Sequence, residues 1–437
     1  MKKLLTTITF ISSLTFLQAQ TYNFTPIDNL LNNNTSAFNG KVVCMIKHYD
    51  TLIYYKALGG IDSNSVSQIA SGTKTFSGAL ILRLAQEGLF DLDDSIGKYK
   101  PNATLVGKGS STIRQNFSHT AGWDGSTNYH SSSTLTLQEA ADSIIQNDPK
   151  IYKPGTKFKY TGVSMHVAGA IAEQVAGIPW DTLFAKKIAN PLGLSNTEFC
   201  LKANNPRIAG GICTSPVDIM KFARFIQKYG KNKSGVQVVD SIWMLEMWKD
   251  QTNGVPQLAS PYPTSPAYNN PYGATNIYYG IGDWLDIYNP TQMYQEQISG
   301  AGAFGTSFWI NRCKGITGVL FTVFPSTFPS VESTWFQIMD VVRNTVPGTC
   351  YLSTGLDESI LNSANTVIYP NPVKDIIYFN NKNHSANEIT IYNLVGEKII
   401  LEYNVNQLDI SALCAGVYFV ELKNNEGMLS VSKIIKQ

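Results

Sequence analysis

Two apolar, β-branched runs, Lys41-Val42-Val43-Cys44-Met45-Ile46 and Thr51-Leu52-Ile53-Tyr54-Tyr55, flank the polar His48-Tyr49-Asp50 and predict a β-hairpin. Next, Phe76, Ala79, Leu80, Leu84 and Ala85 recur at helical spacing between Ser71 and Glu87, and Gly88 supplies a C-terminal cap. From about residue 95 to 200 the pattern is mainly helical, broken by polar loops. Thr136 with Glu139 forms a capping box ahead of Ala140 and Ile144, and a second helix runs from Ser164 through Gln174 to stop at Gly177. Residues 252–278 interleave Pro256, Pro261, Pro263, Pro266 and Pro271 with tyrosines, which predicts an irregular loop placed to overhang a site. Strand patterns return at Tyr278-Tyr279-Gly280-Ile281, Thr306–Ile310 and Gly318–Val323, followed by a helix over Ser333–Asn344. Beyond Pro347-Gly348 the segment 351–366 reads as a polar linker, and from Val367 short alternating strands with turn signals predict a small β-sandwich.

Composition narrows the class. A chain of 437 residues allows two or three domains, and 43% hydrophobic with 15% charged residues is globular rather than disordered. Lys+Arg 34 against Asp+Glu 32 gives a formal charge of +2 without a basic run, so nothing points to nucleic acid. Residues 1–19 carry Lys2 and Lys3, an apolar stretch from Leu4 to Leu17 and then Gln18-Ala19-Gln20, the layout of a secretory signal cleaved after Ala19. That stretch falls short of the roughly 20 residues needed to span a bilayer, and no later segment qualifies. The expectation is an exported chain, free or surface-tethered. In that setting the six cysteines can pair, with Cys200–Cys213 preferred, or stay as small buried apolar residues.

The candidate chemistry starts at Ser71-Gly72-Thr73-Lys74. Residues three apart on a helix share a face, so the Lys74 amine, desolvated to a depressed pKa, can take the Ser71 proton. The helix start favours the negative charge that develops there. Such a spacing is common by chance, so its weight depends on companions. Tyr160, after the Pro154-Gly155 turn, brings a phenol to the head of the Ser164 helix; beside an ammonium its pKa is expected to fall, making it a second proton carrier. His119 invites a triad, but the other histidines (His48, His130, His166, His384) have no metal-ligand spacing. No Gly-x-Ser-x-Gly elbow or phosphate-binding glycine loop occurs, and no cofactor or metal is expected.

The ordered set of Gln68–Leu84, Asp91–Tyr99, Thr112–Gln115 with Ser118-His119-Thr120-Ala121-Gly122, Pro154-Gly155 with Tyr160, Asn190–Leu194, Ala209-Gly210-Gly211 and Tyr279–Gly282 resembles the serine beta-lactamase-related family of class C beta-lactamases, DD-peptidases, D-aminopeptidases and esterases. The resemblance covers roughly residues 30 to 345. It implies an α/β (α+β) catalytic domain, an antiparallel sheet flanked by helices plus a helical subdomain, with the site between them. It also implies Ser71 as acylated nucleophile, Lys74 as base, Tyr160 as proton carrier and His119 as structural.

Two departures matter. The family's Tyr-x-Asn has Gly162 in third place here, and its Lys-Thr-Gly or His-x-Gly is matched only by Gly300-Ala301-Gly302, with Ser299 just before it. The Ala303 amide is expected to join that of Ser71 as an oxyanion hole, with Gly302 and Ser299 on the substrate side. Losing that cation argues against a carboxylate-bearing substrate, so an ester or neutral amide is preferred over a beta-lactam. The alternative is a surface binding protein of the same fold with weakened turnover.

The motifs Val367–Val373, Ile391–Glu397, Leu408–Ser411, Gly416–Val420 and Lys433–Lys436 resemble the type A C-terminal sorting domain of the type IX secretion system. That implies a Bacteroidetes-type cell and export through the periplasm and across the outer membrane by the type IX machinery. The resulting layout is signal peptide 1–19, hydrolase domain 20–350, linker 351–366 and sorting domain 367–437.

Overall fold

Val42, Cys44 and Ile46 alternate with Val43 and Met45, and the structure sends the two sets to opposite faces of one sheet, each into its own core. This computed structural model describes residues 22–201, 204–263, 266–273, 278–289, 294–324, 328–348, 366–381, 388–393, 398–423 and 429–437. The leader expected over residues 1–19 and all but Thr366 of the linker expected over 351–366 lie outside them.

The chain divides into two units, residues 1–350 and 351–437. In the first, β1 (Val42–His48), β2 (Thr51–Leu58), β3 (Tyr278–Tyr279), β4 (Trp284–Asn289), β5 (Tyr294–Ala301), β6 (Ser307–Asn311) and β7 (Ile316–Thr322) form an antiparallel sheet. Its order is β2-β1-β7-β6-β5-β4-β3, so the N-terminal hairpin closes onto the last strand of the unit.

Helices α1 (Thr25–Asn33) and α6 (Phe328–Thr345) cover one face, through Ile27, Leu31, Trp335 and Val342 against Cys44, Trp309 and Leu320. The other face carries α2 (Thr73–Gln86) and α5 (Pro216–Gln227), where Phe76 stacks on Phe222 with centroids 3.7 Å apart. In α2 only Arg83 and Gln86 escape full burial, which is why its apolar residues run nearly all round rather than in one stripe. Two further helices, α3 (Leu137–Asn147) and α4 (Val163–Ala176), belong to the helical region. Thr136 and Glu139 cap α3 reciprocally, and Gly177 ends α4 in the left-handed conformation (φ 64°).

Two sequence expectations change. Strands β4 and β5 were not legible as strands. The proline-rich segment is not wholly irregular either, since Gln257–Ala259 pairs in parallel with Phe158–Lys159, the strand that leads into Tyr160. Cys200 and Cys213 form a disulfide between the short strands Glu198–Phe199 and Ile212–Thr214, and Cys313 is also disulfide-bonded. Cys44 and Cys414 are free thiols.

The second unit is all β. Thr366–Tyr369, Ile376–Asn381 and Gln407–Asp409 form one sheet, and Lys398–Tyr403, Glu388–Tyr392, Gly416–Lys423 and Leu429–Lys436 form the other. Ile377, Ile389, Ile391, Val420 and Ile434 fill the core they share.

Candidate active site

Ser71 lies in a single 3-10 turn, Ala70–Gly72, that runs directly into α2. Ala70 is held at φ 45°, a left-handed conformation that costs a β-carbon residue about 1 kcal/mol, so the turn that presents Ser71 is held by its surroundings. Part of that hold is Gly302, where an added Cβ would lie 2.0 Å from the Ile69 carbonyl oxygen; only glycine lets the end of β5 press this close.

One turn along, Lys74 is buried and its Nζ donates to Ser71 Oγ at 3.0 Å and to the Ala209 carbonyl at 2.9 Å. Burial, and then the charge of Arg207, lower its pKa from 10.5 to about 7. The Ala209 segment is tied to the same helix, because Ser77 Oγ donates to the Ile208 carbonyl at 2.6 Å and Thr73 Oγ1 accepts from the Ile212 amide at 3.1 Å.

Tyr160 completes the group. Lys74 Nζ sits 4.5 Å from its ring centroid. The expected fall in its pKa is not found: burial raises it, outweighing the lowering influence of Ser71, so the phenol keeps its proton. Its ring stacks on Trp284 at 5.1 Å and leans on His119 at 4.5 Å. His119 Nδ1 lies 3.4 Å from both the Thr161 amide and Ser164 Oγ, and burial and Lys74 hold the imidazole neutral. It backs Tyr160 and is not on the cavity wall.

A cavity of about 700 Å³ opens over Ser71, Lys74 and Tyr160, and Ala303 stands on its rim. The backbone amides of Ser71 and Ala303 carry no other hydrogen bond among the described residues. Gly302 is not on the wall; its amide donates to the Thr306 carbonyl at 3.0 Å.

Ser299 is a correction. It pairs with Trp309 on the sheet face covered by α6, where its hydroxyl donates to Asp286 at 2.8 Å, so it faces away from the cavity. The described part of the proline-rich segment does not line the cavity either.

Several wall residues escaped the sequence reading. His130 packs beside Gly162, with ring atoms 3.4 Å from where a Cβ would stand. Burial, Arg207 and Lys74 lower its pKa to about 4, and His166, bonded to Asn205 at 2.8 Å, is lowered to about 3, again mainly by burial. Asp124 pairs with Lys159, and Arg207 is the remaining wall cation. Loops carry Asp124 and Arg207 and a single 3-10 turn, Tyr129–Ser131, carries His130 to the site, and only the Ala209-Gly210-Gly211 motif hinted at one of them.

An antiparallel sheet with a Ser-x-x-Lys pair at the head of its buried central helix and a tyrosine across the cavity is the architecture of beta-lactamase and penicillin-binding-protein-like folds. The chain belongs to the beta-lactamase family, whose model matches residues 34–343, and a secretion system C-terminal sorting domain matches 367–437. The sorting domain marks the protein for type IX secretion to the cell surface or extracellular space. No helix among the described residues is long and apolar enough to cross a membrane.

Among solved structures, a putative beta-lactamase from Bacteroides dorei superposes with TM-score 0.67 at 24% identity over 74% of this chain and 99% of that one. EstCE1, a hydrolase with promiscuous acyltransferase activity, gives 0.59 at 18% over 72% and 97%. Unliganded simvastatin synthase from Aspergillus terreus gives 0.53 at 15% over 73% and 98%. At these identities the likeness is one of fold. The Staphylococcus aureus protein flp is 31% identical over 143 residues, so the match spans 32% of this chain and only 28% of that relative.

Proposed function

We propose that the protein is an exported serine hydrolase that cleaves an ester or amide through an acyl-enzyme. The observation that carries this reading is the Lys74 amine 3.0 Å from Ser71 Oγ with its pKa lowered to about 7, a base poised at working pH beside a nucleophile. Ser71 Oγ attacks the carbonyl carbon as its proton passes to Lys74. The oxyanion gathers between the amides of Ser71 and Ala303, which have no competing acceptor. Tyr160, kept protonated by burial, donates to the leaving alcohol or amine and regains its proton from the Lys74 ammonium. Water then enters, gives its proton to the same relay and releases the acid. In this reading residues 1–19 are the cleaved leader, 20–350 the catalytic domain and 351–366 the tether to the sorting domain.

Fluorophosphonate labelling of the full chain tests the proposal. The wild type should be labelled and Ser71→Ala should not. An unlabelled wild type, under conditions that label a known esterase, returns the chain to the alternative of a binding protein that lacks turnover.

A further inference from the structure

We propose that Arg207 is the anion-binding residue of this cavity and selects an ester or amide whose body carries a carboxylate or phosphate group. The proposal deepens the hydrolase reading and rests on it for the identity of the substrate's reactive bond. It reverses the preference for a neutral substrate, which followed from the missing lysine or histidine after β5.

Arg207 supplies a cation from another wall, the loop that also delivers the Ala209 carbonyl to Lys74. Its backbone is fixed: its carbonyl accepts from the Gly210 and Gly211 amides at 2.9 and 2.8 Å, and Asn205 next to it is buried and bonded to His166. The guanidinium has no such partner. Arg83 pairs with Glu87, Arg114 with Asp93 and Glu246, Arg224 with Asp50 and Arg343 with Glu296, whereas no hydrogen bond or ion pair reaches the Arg207 side chain among the described residues. Its Nε is an unsatisfied donor inside the wall, so the outer guanidinium nitrogens are what the side chain offers to the cavity.

The cavity's own charges do not compensate. Its walls carry Lys74, Lys159 and Arg207 against Asp124 alone, and Asp124 is engaged by Lys159. His130 and His166 stand near Arg207 and offer it no anion. A planar fork of donors, half-buried and unanswered, matches the paired oxygens of a carboxylate or phosphate.

Matched esters give the test on the full chain: p-nitrophenyl butyrate, mono-p-nitrophenyl glutarate, and the p-nitrophenyl ester of 3-phosphonopropionate. We expect kcat/KM at least tenfold higher for one of the anionic esters than for the neutral one, and a ratio near one in Arg207→Ala and in Arg207→Gln. Arg207→Lys should fall between. Whether glutarate or phosphonopropionate gains more identifies the anion.

The same three compounds titrated calorimetrically into the Ser71→Ala chain read binding without turnover, where the preference should persist and vanish with the added Arg207→Ala. An anionic preference that survives both Arg207 variants, or a wild type that binds and cleaves all three alike, overturns the proposal. An Arg207-dependent binding preference in a chain that is neither labelled nor active upholds the anion site and removes the hydrolase reading instead.

Discussion

A lysine titrating near pH 7 makes acylation pH-dependent in a range where an ordinary lysine is silent. At pH 7 an amine of pKa 10.5 is unprotonated in only about one molecule in three thousand, whereas one near 7 is free in about half, a gain of roughly a thousandfold in competent base. At about 1.4 kcal/mol per pKa unit, burial and Arg207 together set about 5 kcal/mol against the ammonium. Because the folded pKa is the lower one, the unfolded chain binds more protons between pH 7 and 10.5, and stability rises with pH across that window. The active form lies on the same side. The expected profile of kcat/KM for ester hydrolysis, and of the fluorophosphonate labelling rate, climbs about tenfold per pH unit below 7 and levels above it. His130 and His166 titrate near 4 and 3 and do not imitate that bend. Asp286 and Lys150 also titrate near 7, but neither lines the cavity, so Asp286→Asn and Lys150→Met should keep the inflection. A rate that still rises tenfold per unit from pH 7 to 10 would refute the assignment of Lys74 as a desolvated base.

Two further substitutions probe the rest of the relay. Tyr160→Phe removes the proton donor while keeping the ring that packs on Trp284 and His119; kcat should drop 100-fold or more with KM little changed, and steady-state kinetics on a neutral ester reads both. Gly162→Asn restores the amide usual in the family but brings a side chain against the His130 ring, 3.4 Å from the new Cβ. Alone it should lower kcat/KM about tenfold, and added to His130→Ala it should recover; a gain in the single variant would show that the ring does not occupy the space.

Much of the fold was legible because its patterns are local. The β1–β2 hairpin is two short apolar, β-branched runs around a polar turn, and α2 has helical spacing, a glycine stop and no charge between Lys74 and Arg83. Strands β4 and β5 were missed because their buried positions carry Asp286, Glu296, Gln297 and Ser299, which read as polar surface. Each is made tolerable by a partner distant in sequence: Ser299 and Tyr262 on Asp286, Arg343 and Asn311 on Glu296. No periodicity reports such pairings, since it sees the charge but not its answer.

The candidate site divides the same way. Ser71 and Lys74 lie on one short turn, so their proximity follows from helix geometry. Tyr160 came from an ordered set of motifs, and its raised pKa depends on burial beneath Trp284, His119 and Tyr279, which no spacing reveals. Ser299 shows how narrow the margin is: one residue of parity separates it from Gly300, whose added Cβ would meet Thr75 on α2, so a register error of one moves a side chain from the nucleophile's side of the sheet to the opposite core. Arg207 was invisible for a different reason. A search for the missing cation looks along the strand where the family keeps it, while the cavity is closed by a loop whose distance from that strand in sequence says nothing of its distance in space. Electrostatic need is a property of the enclosed volume, so any wall can meet it, and only the absence of a carboxylate opposite Arg207 distinguishes a binding charge from a structural one.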